Sequence, residues 1–414
     1  MRARRWRCDG AFVWAKKGIP SIISPRKHVG VGTVSILLSS LLLVLLFLAW
    51  ERRGLSRTRR RIPLVIAVTG TRGKSSVARS LGAVLQASGR RVLVKTTGTE
   101  ARFVLPDGSV EEVRRRGAPT ILEQKAVLRK AARYGVEVLV AEIMSIEPEN
   151  HFVESQRILR PDIVVITNVR PDHREEMGRT VEEIAETMRL TIVPGCRVFV
   201  PQDQMQLFNP SHEATWHAIR TTDATSAINA AVPGRFLENE SLVAAVARSL
   251  SVEHQAIRVG LGASAPERGD FTIWRYSRDG KTVFLVSAFA ANDPESTFLL
   301  LERSRALLGR DVKIHGIFAI RSDRWDRTEH WVEALRSDRW SLLEEVYLVG
   351  DGPGAISRKI QRSSVLTGKD PALITESAVA RMEDGSILFG FGNTHGIGLR
   401  LVDHWTKEGT LHGT

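Results

Sequence analysis

The chain has 414 residues, 43% of them hydrophobic and 25% charged, with a formal net charge of +13, which is enough for two or three domains around a substantial core. The charge is uneven: residues 1–61 carry 14 Lys and Arg against Asp9 and Glu51, a net +12 of that total. A nearly neutral body argues against a broad phosphate-binding face, and so against nucleic acid as a partner.

Residues 1–32 read as a basic extension without strong periodicity. Residues 33–50, TVSILLSSLLLVLLFLAW, form an uncharged run of 18 residues ending at Trp50. As a helix it covers roughly 27 Å of a hydrocarbon core near 30 Å, with Trp50 placed as an interfacial anchor. The run is long for a signal peptide, lies far from Met1 and is followed by Arg52 and Arg53 without a small-residue cleavage site, so it reads as an uncleaved transmembrane anchor. Residues 51–61, the juxtamembrane linker, hold Arg52, Arg53, Arg57, Arg59, Arg60 and Arg61, whereas the other flank has Arg26 and Lys27. The positive-inside rule then predicts a single-pass protein of the cell membrane with its body in the cytoplasm. Cys8 and Cys196 are too far apart for a metal knuckle and suit a reducing compartment.

The stretch Val65 to Ser76, VIAVTGTRGKSS, sends a β-branched run into a Gly-rich turn before an apolar-periodic segment. Gly70 and Gly73 let the loop Gly70-Thr71-Arg72-Gly73-Lys74-Ser75-Ser76 turn its amides toward an anion, and the following helix adds its positive dipole end. This is a phosphate-binding loop suited to ATP. Lys74 reaches for the β/γ-phosphates and Ser75 Oγ for Mg²⁺. The usual pattern has its first glycine five residues before Gly73, where this chain has Val68.

From residue 62 strands and helices alternate. LVIAV is followed by helically spaced Val77, Leu81, Val84 and Leu85, then by strand Val92 to Val94, a helix around Ile121 to Tyr134, and strand Val136 to Ala141. Strand Ile163 to Thr167 ends at Asn168 in NVRPDH; Thr180 and Glu183 predict a capping box for a helix with Val181, Ile184 and Met188 inside. A helix from Ser241 to Leu250 closes a central domain over 62–264 with a parallel sheet, and APERG at 265–269 reads as a linker. A second, Rossmann-like α/β domain is expected over 270–414. Its strands are Thr282 to Ala288, Val312 to Ile320, Glu345 to Val349 and Ser386 to Phe391, ending in the loops AANDPEST, RSDRWDRT, GDGPG and GNTHG. Ligands of open α/β sheets sit beyond such carboxyl ends.

Ser75, Glu142 at the end of VLVAE, and His173 in NVRPDH all follow predicted parallel strands and form a candidate Mg²⁺ set. The series G-T-x-G-K-[ST], a Glu at a strand end and N-x-x-x-D-H (Asn168, Asp172, His173) resembles the Mur ligases and folylpolyglutamate synthetases. More closely, KTTGTEAR (Lys95 to Arg102), AEIMSIEPE, NVRPDHREEMG, SAFAANDPEST, RSDRWDRT and FGFGNTHG resemble, in order, segments of the membrane-anchored ligase subunit of poly-γ-glutamate synthase, the capsule type. The resemblance runs from about residue 62 to about residue 400 and includes the N-terminal span.

It implies an α/β, P-loop Mur-ligase-like fold and an acid–amino-acid ligase that uses ATP and Mg²⁺. A glutamate γ-carboxylate attacks the γ-phosphate, and a second glutamate amine displaces phosphate from the acyl phosphate. Lys74, Glu142 and His173 become the catalytic set. Asn239 is implied to touch adenine and Asp293 the ribose, although Asn239 also fits a helix N-cap and Asp293-Pro294-Glu295 a helix start. Arg102, Arg321, Arg324 and Arg327 are candidates for gripping substrate carboxylates, as bidentate forks or as solvated loop charges. Mur ligases place a carbamylated lysine where this chain has Met188, so a second metal of that kind is not expected. Implied partners are glutamate, the growing polymer, the membrane and small membrane subunits of a synthesis and export complex. Two alternatives stand beside this reading: a ligase for another acidic acceptor, and a P-loop ATPase driving polymer assembly or export.

Overall fold

In the computed structural model the residues described are 31–97, 101–115, 117, 119–171, 176–210, 212–221, 236–263, 269–291 and 293–412, without the side chains of 31–33 and 324–327. They fall into two compact units, one up to residue 54 and one from residue 55 onward. The first unit holds most of helix α1 (Val31–Arg60), whose Ile36, Leu37, Leu42 and Leu43 are exposed. Among the described residues it is the one helix long and apolar enough to cross a membrane. The helix continues past the predicted span because Glu, Arg and Leu are good helix formers, and Arg57, Arg59 and Arg60 in its last turn complement the dipole.

In the second unit, the apolar run β1 (Leu64–Thr69) forms the centre of a sheet covered on both faces, as unbroken β-branched runs do. After it come α2 (Lys74–Ala87), β2 (Val92–Lys95), β3 (Arg102–Val104), β4 (Val110–Glu112), α3 (Glu123–Tyr134), β5 (Val138–Glu142) and α4 (Pro148–Phe152). Then follow β6 (Ile163–Ile166), α5 (Val181–Arg189), β7 (Arg197–Pro201), β8 (Thr215–Ile219), α6 (Leu237–Ser249) and α7 (His254–Ala263). The strand order is β4-β3-β2-β5-β1-β6-β7-β8. It is parallel from β2 to β8, with the short antiparallel hairpin β3–β4 added at one edge.

One face packs Val77, Leu81 and Leu85 of α2 with Leu242 and Val246 of α6 and Ile257 of α7. The other buries Val127, Leu128 and Ala131 of α3 against Leu93 and Leu139. Helix α7 crosses the phosphate-loop helix closely enough that a Cβ on Gly260 would lie 2.3 Å from Val84 Cα. The predicted capping box is present: Glu183 N donates to Thr180 Oγ1 at 3.2 Å, and Glu183 carboxylate caps the Thr180 backbone in return. Helix α6 starts at Leu237 rather than Ser241, which puts Asn239 inside its first turn; Phe236 is the N-cap.

The second sheet is built from β9 (Thr272–Arg278), β10 (Lys281–Ser287), α8 (Pro294–Leu308), β11 (Ile314–Ile320), α9 (Trp325–Leu335), β12 (Leu343–Gly350) and α10 (Pro353–Ser357). It is completed by β13 (Ser363–Val365), α11 (Pro371–Ala380), β14 (Ile387–Gly392), α12 (Leu399–Glu408) and β15 (Thr410–Leu411). The order is β13-β12-β11-β14-β10-β9-β15, with β13 through β10 parallel and β9 and β15 antiparallel additions. An aromatic cluster fills one face, with Trp331 centred 4.9 Å from Phe391 and 5.4 Å from Trp340. Strand β9 adds to the four predicted strands. It is joined to β10 by Asp279 (φ 50°) and Gly280 (φ 78°), a two-residue hairpin turn whose backbone twist matches its strands.

Candidate active site

The carboxyl ends of β1, β2, β5 and β6 meet at one edge of the first sheet, and Lys74, Ser75, Glu142, Asn239 and Asp293 are the predicted residues found around the loop there. Gly70 (φ 133°) and Gly73 (φ 78°) carry the loop from β1 into α2. A Cβ on Gly70 would lie 2.0 Å from Thr167 Oγ1 and one on Gly73 would lie 2.7 Å from Asn239 Nδ2, so neither position accepts a side chain. The segment after β6 clamps the loop. Thr71 N donates to Asn168 O at 2.9 Å, Arg72 N to Asn168 Oδ1 at 3.0 Å, and Thr167 Oγ1 to Arg72 O at 2.6 Å. Thr71 Oγ1 accepts from Arg170 N at 2.9 Å. Because Asn168 engages the Thr71 and Arg72 amides, the helix-end amides at Lys74, Ser75 and Ser76 are the ones aligned for an anion.

Lys74 Nζ donates to Gly70 O at 2.7 Å and reaches Thr71 O at 3.4 Å, which holds the ammonium over the loop. Ser75 Oγ donates to Glu142 Oε2 at 2.8 Å, and the same oxygen accepts from Thr97 N at 2.7 Å. Glu142 is buried. A hydroxyl and a carboxylate oxygen in contact beside a phosphate loop are the hard donors a divalent cation takes, so these residues fit a metal–nucleotide site. His173 lies outside the described residues.

Asn239 packs against Gly73, and Asp293 caps α8 by accepting from Ser296 N at 2.8 Å. The second oxygen of Asp293 faces Arg72 Nε at 3.4 Å, tying the phosphate loop to the second sheet's domain. Arg170 adds a parallel tie, donating to Ser296 Oγ and standing 3.9 Å from Glu238. Arg79 pairs with Asp270 at 3.5 Å. Among the substrate candidates, Arg102 opens β3 at the closure of the KTTGTEAR loop, where Thr96 N donates to Arg102 O at 2.9 Å. Arg321 makes a two-pronged pair with Asp323, at 2.9 and 2.5 Å. The side chains of Arg324 and Arg327 lie outside the described residues.

Three buried groups near this edge carry no sequence mark. Glu154 accepts from Gln124 Nε2 at 2.6 Å, Ser145 N at 3.0 Å and Ser145 Oγ at 2.5 Å, which fixes the loop after Glu142. Lys95 is fully buried with Nζ 3.7 Å from Glu123 Oε2, and desolvation holds its ammonium below the usual lysine range. His151 places Nδ1 3.2 Å from Thr191 Oγ1. Burial, reinforced by the charge of Lys74, pushes His151 down to about 4. An unfolded histidine titrates near 6.5, so between those values the native state binds fewer protons than the unfolded one. Stability is therefore expected to fall as pH drops from about 6.5 to about 4, by about 3 kcal/mol from this group. Urea unfolding of wild type and His151→Gln at neutral and acid pH checks it: the two curves should converge on acidification, and a constant separation contradicts the assignment.

The Mur ligase middle domain family matches residues 68–241, and the poly-gamma-glutamate synthase CapB C-terminal domain family matches residues 273–408. The chain is 29% identical over 377 residues to the capsule biosynthesis protein CapB of Bacillus anthracis, covering 87% of this chain and 80% of that one. It is 27% identical over 372 residues to the PGA synthase CapB of Bacillus subtilis (strain 168), covering 85% and 93%. The crystal structure of the bifunctional folylpolyglutamate synthase/dihydrofolate synthase from Yersinia pestis, complexed with AMPPNP and Mn ion, superposes with a TM-score of 0.64 at 17% identity, covering 86% of this chain and 91% of that one. Matched in turn along one chain, residues 68–241 belong to the Mur ligase middle domain family and residues 273–408 to the C-terminal domain family of poly-γ-glutamate synthase CapB.

Proposed function

We propose that the chain is an ATP-dependent acid–amino-acid ligase that builds poly-γ-glutamate. The observation that carries the reading is the order of the two family matches, a ligase middle domain followed by a polymer-synthase C-terminal domain, over the loop in which Ser75 meets Glu142.

In the first step a γ-carboxylate oxygen attacks the terminal phosphorus of ATP, the bridging P–O bond breaks, and ADP leaves. In the second the amine of another glutamate attacks the acyl carbon, phosphate departs, and the amine proton passes to solvent. Both steps need charge stabilisation and alignment more than covalent help. Lys74 and the first-turn amides of α2 hold the phosphates. Ser75, Glu142 and His173 are the residues that would hold Mg²⁺, and the ion would supply charge neutralisation on the transferring group. Asn239 and Asp293 serve the adenosine half, and Asp293 is the residue that also caps α8 and faces Arg72 of the phosphate loop. Arg102, Arg321, Arg324 and Arg327 orient carboxylates of donor and acceptor.

The apolar helix anchors the enzyme as a single-pass protein of the cell membrane, its body in the cytoplasm with ATP, and small membrane subunits receive the polymer. The test is incorporation of labelled glutamate by purified membranes supplied with ATP and Mg²⁺. ATP-dependent product cleaved by a γ-polyglutamate hydrolase is the expected result; product indifferent to that hydrolase contradicts the γ-linkage.

A further inference from the structure

The second sheet has another concave feature at its opposite end. A cavity of about 710 Å³ lies under the amino ends of β12 and β13, between the segment after α9 and the segment after α10. Arg336, Arg358, Lys359 and Arg362 line it, with Asp338 the one acidic lining residue. The body outside residues 1–61 is close to neutral, so four cations around one carboxylate form a local concentration. The guanidinium groups of Arg336, Arg358 and Arg362 make no hydrogen bond or ion pair among the described residues. The adjacent Arg339 behaves differently: it pairs with Glu295 at 2.6 Å and lies 3.9 Å above the Phe298 ring.

The floor is apolar, formed by buried Trp340, Leu343, Val346 and Ile360. An apolar floor under a rim of guanidinium forks matches a ligand with methylene stretches and regularly spaced carboxylates. The Trp340 ring is buried, so it offers no exposed face on which a nucleobase would stack. Strand β12 has 8 residues, and its carboxyl end leads to Asp351, which accepts from Ser322 N at 3.2 Å at the sheet edge shared with the loop after β10, whose Asp293 faces Arg72. Cavity and loop end are therefore roughly 25 Å apart along the strand. A single glutamate cannot occupy both.

We propose that this cavity is a second binding site for γ-linked polyglutamate, holding chain already made while units are added at the loop end. The proposal rests on the ligase reading above. By retaining the acceptor it raises the local concentration of chain ends and lengthens the product.

The test uses the full-length protein in detergent, with fluorescently labelled γ-polyglutamate of defined length and no ATP. The triple variant Arg336→Gln, Arg358→Gln, Arg362→Gln changes exposed side chains; Arg336→Glu is a second, single reversal in case the triple variant melts early. Each is expected to weaken polymer binding, the triple variant by about 10-fold or more. With ATP, the product should shorten while the initial rate of ADP release on free glutamate stays at the wild-type value. Unchanged polymer affinity and product length in both variants overturn the proposal. So does stronger competition by inorganic polyphosphate than by γ-polyglutamate at equal charge, which would assign the cavity to a phosphate polyanion. Failure of the wild type to make γ-linked product overturns the ligase reading instead, and the ATP-free binding result remains a separate readout.

Discussion

Lys74→Ala is expected to abolish most turnover while leaving the protein folded. The lysine stands at the mouth of α2, its ammonium 2.7 Å from Gly70 O, so it is already held where transferring phosphoryl oxygens would gather charge. The core beneath the helix is made by Val77, Leu81 and Leu85 and does not include it. Removing one preorganised charge of this kind raises a barrier by about 3 to 4 kcal/mol, or about 10²- to 10³-fold in rate. Glutamate-dependent ADP release by wild type and variant, matched for melting temperature, measures the effect. Near-normal turnover in a folded variant would remove the nucleotide assignment from this loop.

Glu142→Gln should act through the metal. Glutamine keeps the shape and one acceptor oxygen for Ser75 Oγ and Thr97 N, so the buried hydrogen bonds at 2.8 and 2.7 Å retain an acceptor. What it loses is the negative charge that a divalent cation requires. The expected result is a higher Mg²⁺ concentration for half-maximal activity, with turnover down about 100-fold at fixed Mg²⁺ and nucleotide affinity changed far less. A Mg²⁺ titration of initial rates checks this. Superimposable wild-type and variant titrations would return Glu142 to a purely structural role in bracing Thr97.

Much of this site was readable from local pattern because local chemistry dictates it. The run Leu64–Thr69, two glycines and Lys74-Ser75 can hardly form anything but a strand, an anion loop and a helix start, and Glu142 ends a strand so apolar that it must be central. Thr180 and Glu183 likewise announced their capping box. Other features depend on tertiary context. Nothing local in KTTGTEAR says that Lys95 turns inward beside Glu123, or that His151 is buried within reach of Lys74's charge. The strands β3 and β4 are 3 residues each, too short to leave a period. Strand β8 (TWHAI) is an edge strand with none of its residues fully buried. Strand β9 does carry a signal, Asp279-Gly280 between segments in which Ile273, Trp274 and Tyr276 are buried on one side and Val283, Leu285 and Val286 on the other. Asp293 shows how two readings coexist. It is a helix cap, as Asp-Pro-Glu suggests, and its other oxygen faces Arg72.

The central claim is that a carboxylate is phosphorylated at this loop and then captured by an amine. Hydroxylamine is a small nucleophile that intercepts an acyl phosphate, so adding it to enzyme, ATP, Mg²⁺ and glutamate or short γ-glutamyl chains tests the claim directly. The account predicts ADP release stimulated by the carboxylate substrate, together with a γ-hydroxamate formed in proportion to it and absent in Lys74→Ala. ATP hydrolysis indifferent to glutamate, with no hydroxamate even when the partner subunits are present, would contradict the ligase assignment and favour an ATPase that drives assembly or export.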